Sequence, residues 1–100
     1  MTKSIAKFYV AGVQFHDLKS IADKIEVGTI LQLTLEPTNK YDSNAVIIEY
    51  QGFFLGYVPK KFSAMIAGYL TTDEIICTVL TIDMKKKTYE QLEVELTTEE

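Results

Sequence analysis

The sequence predicts a mainly β domain of about six strands and two short helices, closed or nearly closed into a barrel. Short runs rich in β-branched and aromatic residues recur along the chain, bounded by glycine, proline and asparagine. Several of them alternate apolar and polar residues with period two, as half-buried strands do. Closure of so many short strands removes exposed edges. One hundred residues, 47% hydrophobic and 24% charged, fit one globular domain over 1–100, with its core at about 6–96.

The first strand is expected over Ala6 to Val13, which is aromatic and β-branched and ends in a glycine-containing turn. From His16 to Ile25, the spacing of Leu18, Ile21, Ala22 and Ile25 is that of one helical face, with Asp17 placed as N-cap. Thr29 to Glu36 sets Leu31, Leu33 and Leu35 against Gln32, Thr34 and Glu36, a strand stopped by Pro37. PTNKYDSN then reads as a loop. Ala45–Tyr50 and Phe53–Val58 form a hairpin about Gln51-Gly52. Pro59 ends that hairpin and opens a helix through KKFSAMIAGYL, with Phe62, Met65, Ile66, Tyr69 and Leu70 on its inner face. Glu74–Met84 is the next strand, Lys85–Lys87 the turn after it, and Tyr89–Leu96 the last strand, with one slip of pattern that reads as a bulge. TTEE at 97–100 reads as a frayed acidic tail.

Composition excludes several classes. The longest uncharged stretch, Phe62 to Thr72, is too short and too polar for a membrane span. No secretion signal is evident at the start of the chain, so a cytoplasmic location is expected. Cys77 is the only cysteine, which excludes an internal disulfide and a Cys-rich zinc site, and within EIICTVL it reads as a small buried hydrophobe. The net charge is −4, but it is unevenly spread. Residues 1–36 balance four lysines against four acids, 37–69 carry a net +1, and 70–100 a net −5. With no arginine in the chain, bidentate guanidinium contacts to phosphate are absent, so any nucleic-acid binding should be modest and salt-sensitive.

Catalytic signatures are missing. Neither G-x-x-x-x-G-K-[ST] nor G-x-G-x-x-G occurs, and no serine or threonine lies in a nucleophile elbow. One histidine and one cysteine, far apart in sequence, build no conventional metal site, and His16 has no indicated partner as a general base. A non-enzyme without cofactor or metal is the expectation.

One stretch is far more specific. EPTNKYDSNAVIIEYQGFFLGYVPKKFSAMIA has the order E-P-x-N-x-Y-D-x-N-A-V, a hairpin, then L-G-Y-V-P and a helix, with F-Y-V-A-G-V-Q-F upstream. Over residues 7 to about 96 this order resembles the HIRAN domain, in the manner of its free-standing bacterial and phage members. The resemblance implies an OB-like barrel and a pocket for the 3′ end of single-stranded DNA, in the setting of repair or replication. On this chain Asp42 would accept a hydrogen bond from a free 3′-hydroxyl and repel a 3′-phosphate, while Tyr41 and Phe15 would stack on bases. Lys60 and Lys61, at a helix N-terminus, lie where phosphates would be held. Asn39, Gln14 and Tyr57 complete the expected set. Gln14 stands where the DNA-binding relatives carry arginine, and Tyr57 where the family varies between aromatic and histidine.

Blander roles stand beside these. Asn39, Asp42, Ser43 and Asn44 are also good turn builders through their side-chain oxygens. Tyr41 is as well suited to packing across a barrel mouth, and Lys85–Lys87 to a solvated hairpin tip. A second reading of the whole chain is a protein-interaction or self-assembling β-barrel that has lost DNA binding, with a homo-oligomer or a protein as partner.

Overall fold

The computed structural model describes residues 1–99, and its strands form one antiparallel sheet. In chain order the strands are β1 (Thr2–Tyr9), β2 (Ile30–Leu35), β3 (Val46–Tyr50), β4 (Phe53–Tyr57), β5 (Ile75–Ile82) and β6 (Leu92–Glu99). Two α-helices, α1 (Leu18–Ile21) and α2 (Lys60–Thr72), lie between them. The spatial order of the strands is β1-β6-β5-β2-β3-β4.

The sheet stays open, which corrects the expected OB-like barrel to a mainly β fold with two sheet edges. β2 divides its pairing: Ile30 and Leu31 face β5, and Gln32 to Leu35 face β3. That division brings β4 around toward the end of β1, where Ala11 and Tyr57 exchange two N–H···O bonds of 2.9 Å. Among the described residues this bridge is where the two edges pair. The chain turns into a 3₁₀ turn, Val13–Phe15, directly after Gly12, so no ladder extends from it. At the bridge the backbones are so close that a Cβ on Gly56 would lie 2.4 Å from the Ala11 carbonyl oxygen.

Alternation predicted the strands because each buries one face. β6 shows it cleanly, with Leu92, Val94, Leu96 and Thr98 buried. The three apolar ones join Phe8, Val10, Leu31, Val46, Ile48, Leu55, Cys77 and Val79 in the core. The expected slip in the last strand resolves into a separate 3₁₀ turn, Thr88–Glu90, followed by a regular β6. The irregularities lie on its two neighbours, between Val79 and Thr81 of β5 and between Ser4 and Ala6 of β1. Thr97 to Glu99, expected as a frayed tail, instead pair with Ser4 to Thr2 of β1. Backbone pairing outweighs the polar composition there. Glu100, the end of that expected tail, lies outside the described residues.

The hairpin turn is as expected. Gln51 and Gly52 both have positive φ, 48° and 87°, as in a two-residue turn matched to strand twist. The first helix is shorter than its pattern predicts, a four-residue α1 between 3₁₀ turns, with Leu18, Ile21 and Ile25 still buried. α2 covers the expected span, but its buried face is Ser63, Ile66 and Ala67, with Phe62 and Leu70 half-buried and Met65 42% exposed. Among the described residues no helix is long and apolar enough to cross a membrane.

Candidate nucleic-acid interface

The loop between β2 and β3 is built by its own polar side chains. Asn39 Oδ1 accepts the backbone N–H groups of Tyr41 (2.9 Å) and Asp42 (3.0 Å). Asp42 Oδ1 accepts that of Asn44 at 2.9 Å. These are the turn-forming roles open to Asx residues. The loop therefore presents Tyr41 outward, 79% exposed, and this exposure answers the packing alternative, since the ring covers no barrel mouth.

Asp42 is also tied to α2. The buried hydroxyl of Ser63 donates to Asp42 Oδ2 at 2.6 Å and lies 2.9 Å from the Lys60 carbonyl oxygen. A hydroxyl has one proton, and the shorter contact to a charged acceptor takes the larger share of it. The Ser63 hydroxyl, then the Asn44 N–H, then the charge of Lys60 hold the Asp42 carboxyl below its usual range. The group is ionised at neutral pH, and each carboxylate oxygen keeps a lone pair beyond its internal bond.

A cavity of about 290 Å³ opens beside this loop, lined by Ala11, Asn39, Tyr41, Asp42, Ala45, Tyr57, Val58 and Lys60. Five of the eight residues singled out from sequence meet there. Both residues of the Ala11–Tyr57 bridge line it, so the cavity lies at the junction of the two sheet edges. Two of the lining residues, Tyr57 and Asn39, belong to a second network. Tyr57 Oη donates to Glu36 Oε1 at 2.6 Å, and Asn39 Nδ2 donates to the same oxygen at 2.8 Å. Those two donors lower the Glu36 carboxyl below its ordinary value, and the carboxylate raises the Tyr57 phenol above its own. His16 stacks on Phe54 with ring centroids 3.9 Å apart and meets Tyr57 edge-on at 6.0 Å.

The other three expected residues lie off this cavity's lining. Gln14 lines a separate cavity of about 430 Å³ with Val13, Lys19, Met84, Thr88 and Gln91. It is the larger of the two, yet neither Tyr41 nor Asp42 lines it, and the smaller one gathers more of the expected residues. Phe15 is 77% exposed on the 3₁₀ turn, and the Lys61 ammonium lies 5.2 Å from the Phe62 ring centroid. Sequence reasoning missed Glu36, Ser63, Phe54 and the packing of His16. Glu36 opens the motif and so carried a signal; Ser63, 21 residues from Asp42, carried none. Among the described residues no cluster of three or more His, Cys, Asp or Glu is arranged to hold a metal ion.

A cavity set where the edges of an open antiparallel sheet meet, walled by hydrogen-bond acceptors and flanked by an exposed aromatic, defines a small binding module. Within that class the chain belongs to the HIRAN domain family, whose sequence model matches residues 5–99. A crystal structure of a protein from Lactobacillus plantarum is similar with a TM-score of 0.83 at 22% identity, covering 98% of this chain and 95% of that one. The HIRAN domain of human HLTF is similar with a TM-score of 0.71 at 15% identity, covering 97% and 78%. At these identities both structures bear on the fold. No curated protein sequence matches the chain. Family membership supports nucleic-acid binding as the general class of function, and no catalytic activity is indicated.

Proposed function

We propose that this chain is a non-catalytic module that binds single-stranded DNA at a free 3′-hydroxyl end, in the service of repair or replication. The supporting observation is that an exposed aromatic ring, an ionised carboxylate and an ammonium group, those of Tyr41, Asp42 and Lys60, border one small cavity. A carboxylate accepts hydrogen bonds and donates none, so it favours a hydroxyl end and repels a phosphate end. Stacking of the terminal base on Tyr41 is worth about 1–3 kcal/mol. Lys60 neutralises the penultimate phosphate. Tyr57 and Asn39 wall the pocket, while Gln14, Phe15 and Lys61 lie along the strand's path away from it. With a net charge of −4 and no arginine, affinity is modest and falls steeply with salt.

Fluorescence anisotropy at low salt, comparing one labelled strand ending in 3′-hydroxyl with the same strand ending in 3′-phosphate, tests this. Tighter binding of the hydroxyl end, lost in Asp42→Ala, supports the reading. Equal binding of both ends reduces the site to a generic electrostatic one, and no binding at low salt overturns it.

A second reading rests on β1, an eight-residue edge strand whose outer side is open to another strand. A second copy or a protein partner adding there replaces DNA as the ligand. A concentration-dependent mass in light scattering, together with absent DNA binding, favours it.

A further inference from the structure

We infer that Glu36 is the positioning residue for end recognition: it sets the direction of the Asn39 amide, and that amide sets the backbone carrying Tyr41 and Asp42. The inference rests on the 3′-end reading and adds to it a residue outside the cavity lining.

A carboxylate offers acceptors only. Glu36 Oε1 receives Tyr57 Oη at 2.6 Å and Asn39 Nδ2 at 2.8 Å, so the amide of Asn39 must turn its NH₂ toward Glu36. Its carbonyl oxygen then faces the other way, where it accepts both the Tyr41 and Asp42 N–H groups. Reversing the amide would set an oxygen against the carboxylate and two N–H donors against an NH₂ group. The carboxylate and the two backbone donors thus select the same one of two amide orientations, and Glu36 is the part of that selection that a side-chain substitution can remove. The Tyr57 phenol proton is committed to Glu36 as well, which leaves its oxygen to accept the longer 3.4 Å approach of Asn39 Nδ2. Glu36 itself is anchored: its N–H donates to the Ala45 carbonyl at 2.9 Å, and Pro37 follows it. Tyr57 on β4 and the loop that carries Tyr41 and Asp42 are joined through this side chain and, more weakly, by the direct 3.4 Å contact of Asn39 with Tyr57.

The test pairs a loop readout with an end-preference readout on the full chain. In Glu36→Leu, amide hydrogen exchange at Tyr41 and Asp42 should rise by about tenfold or more, while core amides such as that of Leu96 hold their rates. The preference for a 3′-hydroxyl over a 3′-phosphate strand should fall by about tenfold, beyond any weakening that both strands share through Tyr41. Glu36→Gln, which keeps shape but frees the amide orientation, should fall between wild type and Glu36→Leu, and it serves if the leucine variant does not fold. Asn39→Asp keeps the acceptor for both N–H groups but sets a second charge against Glu36, and it should lose preference as Glu36→Leu does. Preference and exchange rates left intact in a folded Glu36→Leu overturn the inference. A wild-type protein with no end preference overturns the underlying 3′-end reading, and that result is seen before any variant is made.

Discussion

Asp17 and Phe54 are joined by two hydrogen bonds that imitate a strand ladder: Asp17 N–H donates to the Phe54 carbonyl at 2.8 Å, and Phe54 N–H donates to Asp17 Oδ2 at 3.1 Å. A side chain thereby covers part of the outer edge of β4, next to the Ala11–Tyr57 bridge. It also explains why Asp17, though at the N-cap position of α1, makes no side-chain cap: its carboxylate is spent on the sheet. Asp17→Ala should lower stability by about 1 kcal/mol, measured as a shift of the urea midpoint at unchanged slope. Asp17→Asn, which keeps an acceptor, should recover part of that.

Gly56→Ala tests how tightly the edges meet. The new Cβ would sit 2.7 Å from Val10 Cγ1 and 2.4 Å from the Ala11 carbonyl oxygen, and that oxygen cannot give way without opening the bridge. A loss of about 2–3 kcal/mol is expected, a fall in Tm of roughly 10–20 °C. A Tm within a few degrees of wild type would show that the junction is looser than its geometry.

Glu36 and Asp42 make the fold acid-sensitive in a defined direction. Both carboxyls lie below their ordinary values of 4.5 and 3.8, Glu36 chiefly through the Tyr57 hydroxyl and Asp42 chiefly through the Ser63 hydroxyl. A depressed folded value contributes stability that is present above the ordinary value and lost as pH falls through the folded one. Urea midpoints should therefore hold near neutrality and decline below about pH 4.5, and the decline should be shallower in Glu36→Gln. An identical pH profile in that variant would mean that the Tyr57–Glu36 bond contributes nothing measurable.

Lys60→Ala and Asp42→Asn separate two parts of recognition. Lys60→Ala should weaken both hydroxyl- and phosphate-ended strands alike and reduce the slope of log affinity against log salt by about 0.7. Asp42→Asn keeps one oxygen for the Asn44 N–H and sets its NH₂ against the Ser63 hydroxyl, which can accept it while donating to the Lys60 carbonyl; it should keep the loop but lower discrimination between the two ends. An unchanged salt slope in Lys60→Ala would remove that residue from the phosphate path.

Cys77 should be inert. Burial pushes its thiol up to about 12, and the side chain is fully enclosed on β5. A thiol-specific reagent at pH 8 should label it only as fast as the protein unfolds, and denaturant should release one equivalent at once. Rapid labelling of the native protein would show that β5 opens locally.

Much of this was legible in the sequence, for reasons that stay within a few residues. Alternation marked β2 and β6, the Gln51-Gly52 pair marked the hairpin turn, and Pro37 and Pro59 marked where strands stop. The motif from Glu36 to Val46 identified the loop, and its turn chemistry is local: Asn39 and Asp42 bind N–H groups two or three residues on. Those rules failed where a distant neighbour competed. Asp17 left its cap for a strand, the acidic 97–99 segment was drawn into the sheet by β1, and α1 shortened between 3₁₀ turns.

By itself, the sequence determined a mainly β chain with an Asx-built loop bearing a tyrosine and an aspartate, because period, turn preference and side-chain bonding act over short separations. Tertiary structure alone decided that the sheet remains open, that Ser63 pins Asp42 from 21 residues away, and that Glu36 joins Tyr57 to Asn39 beside the cavity. Each of these depends on where two sheet edges come to rest, and that position follows from the packing of the whole core rather than from any pattern along the chain.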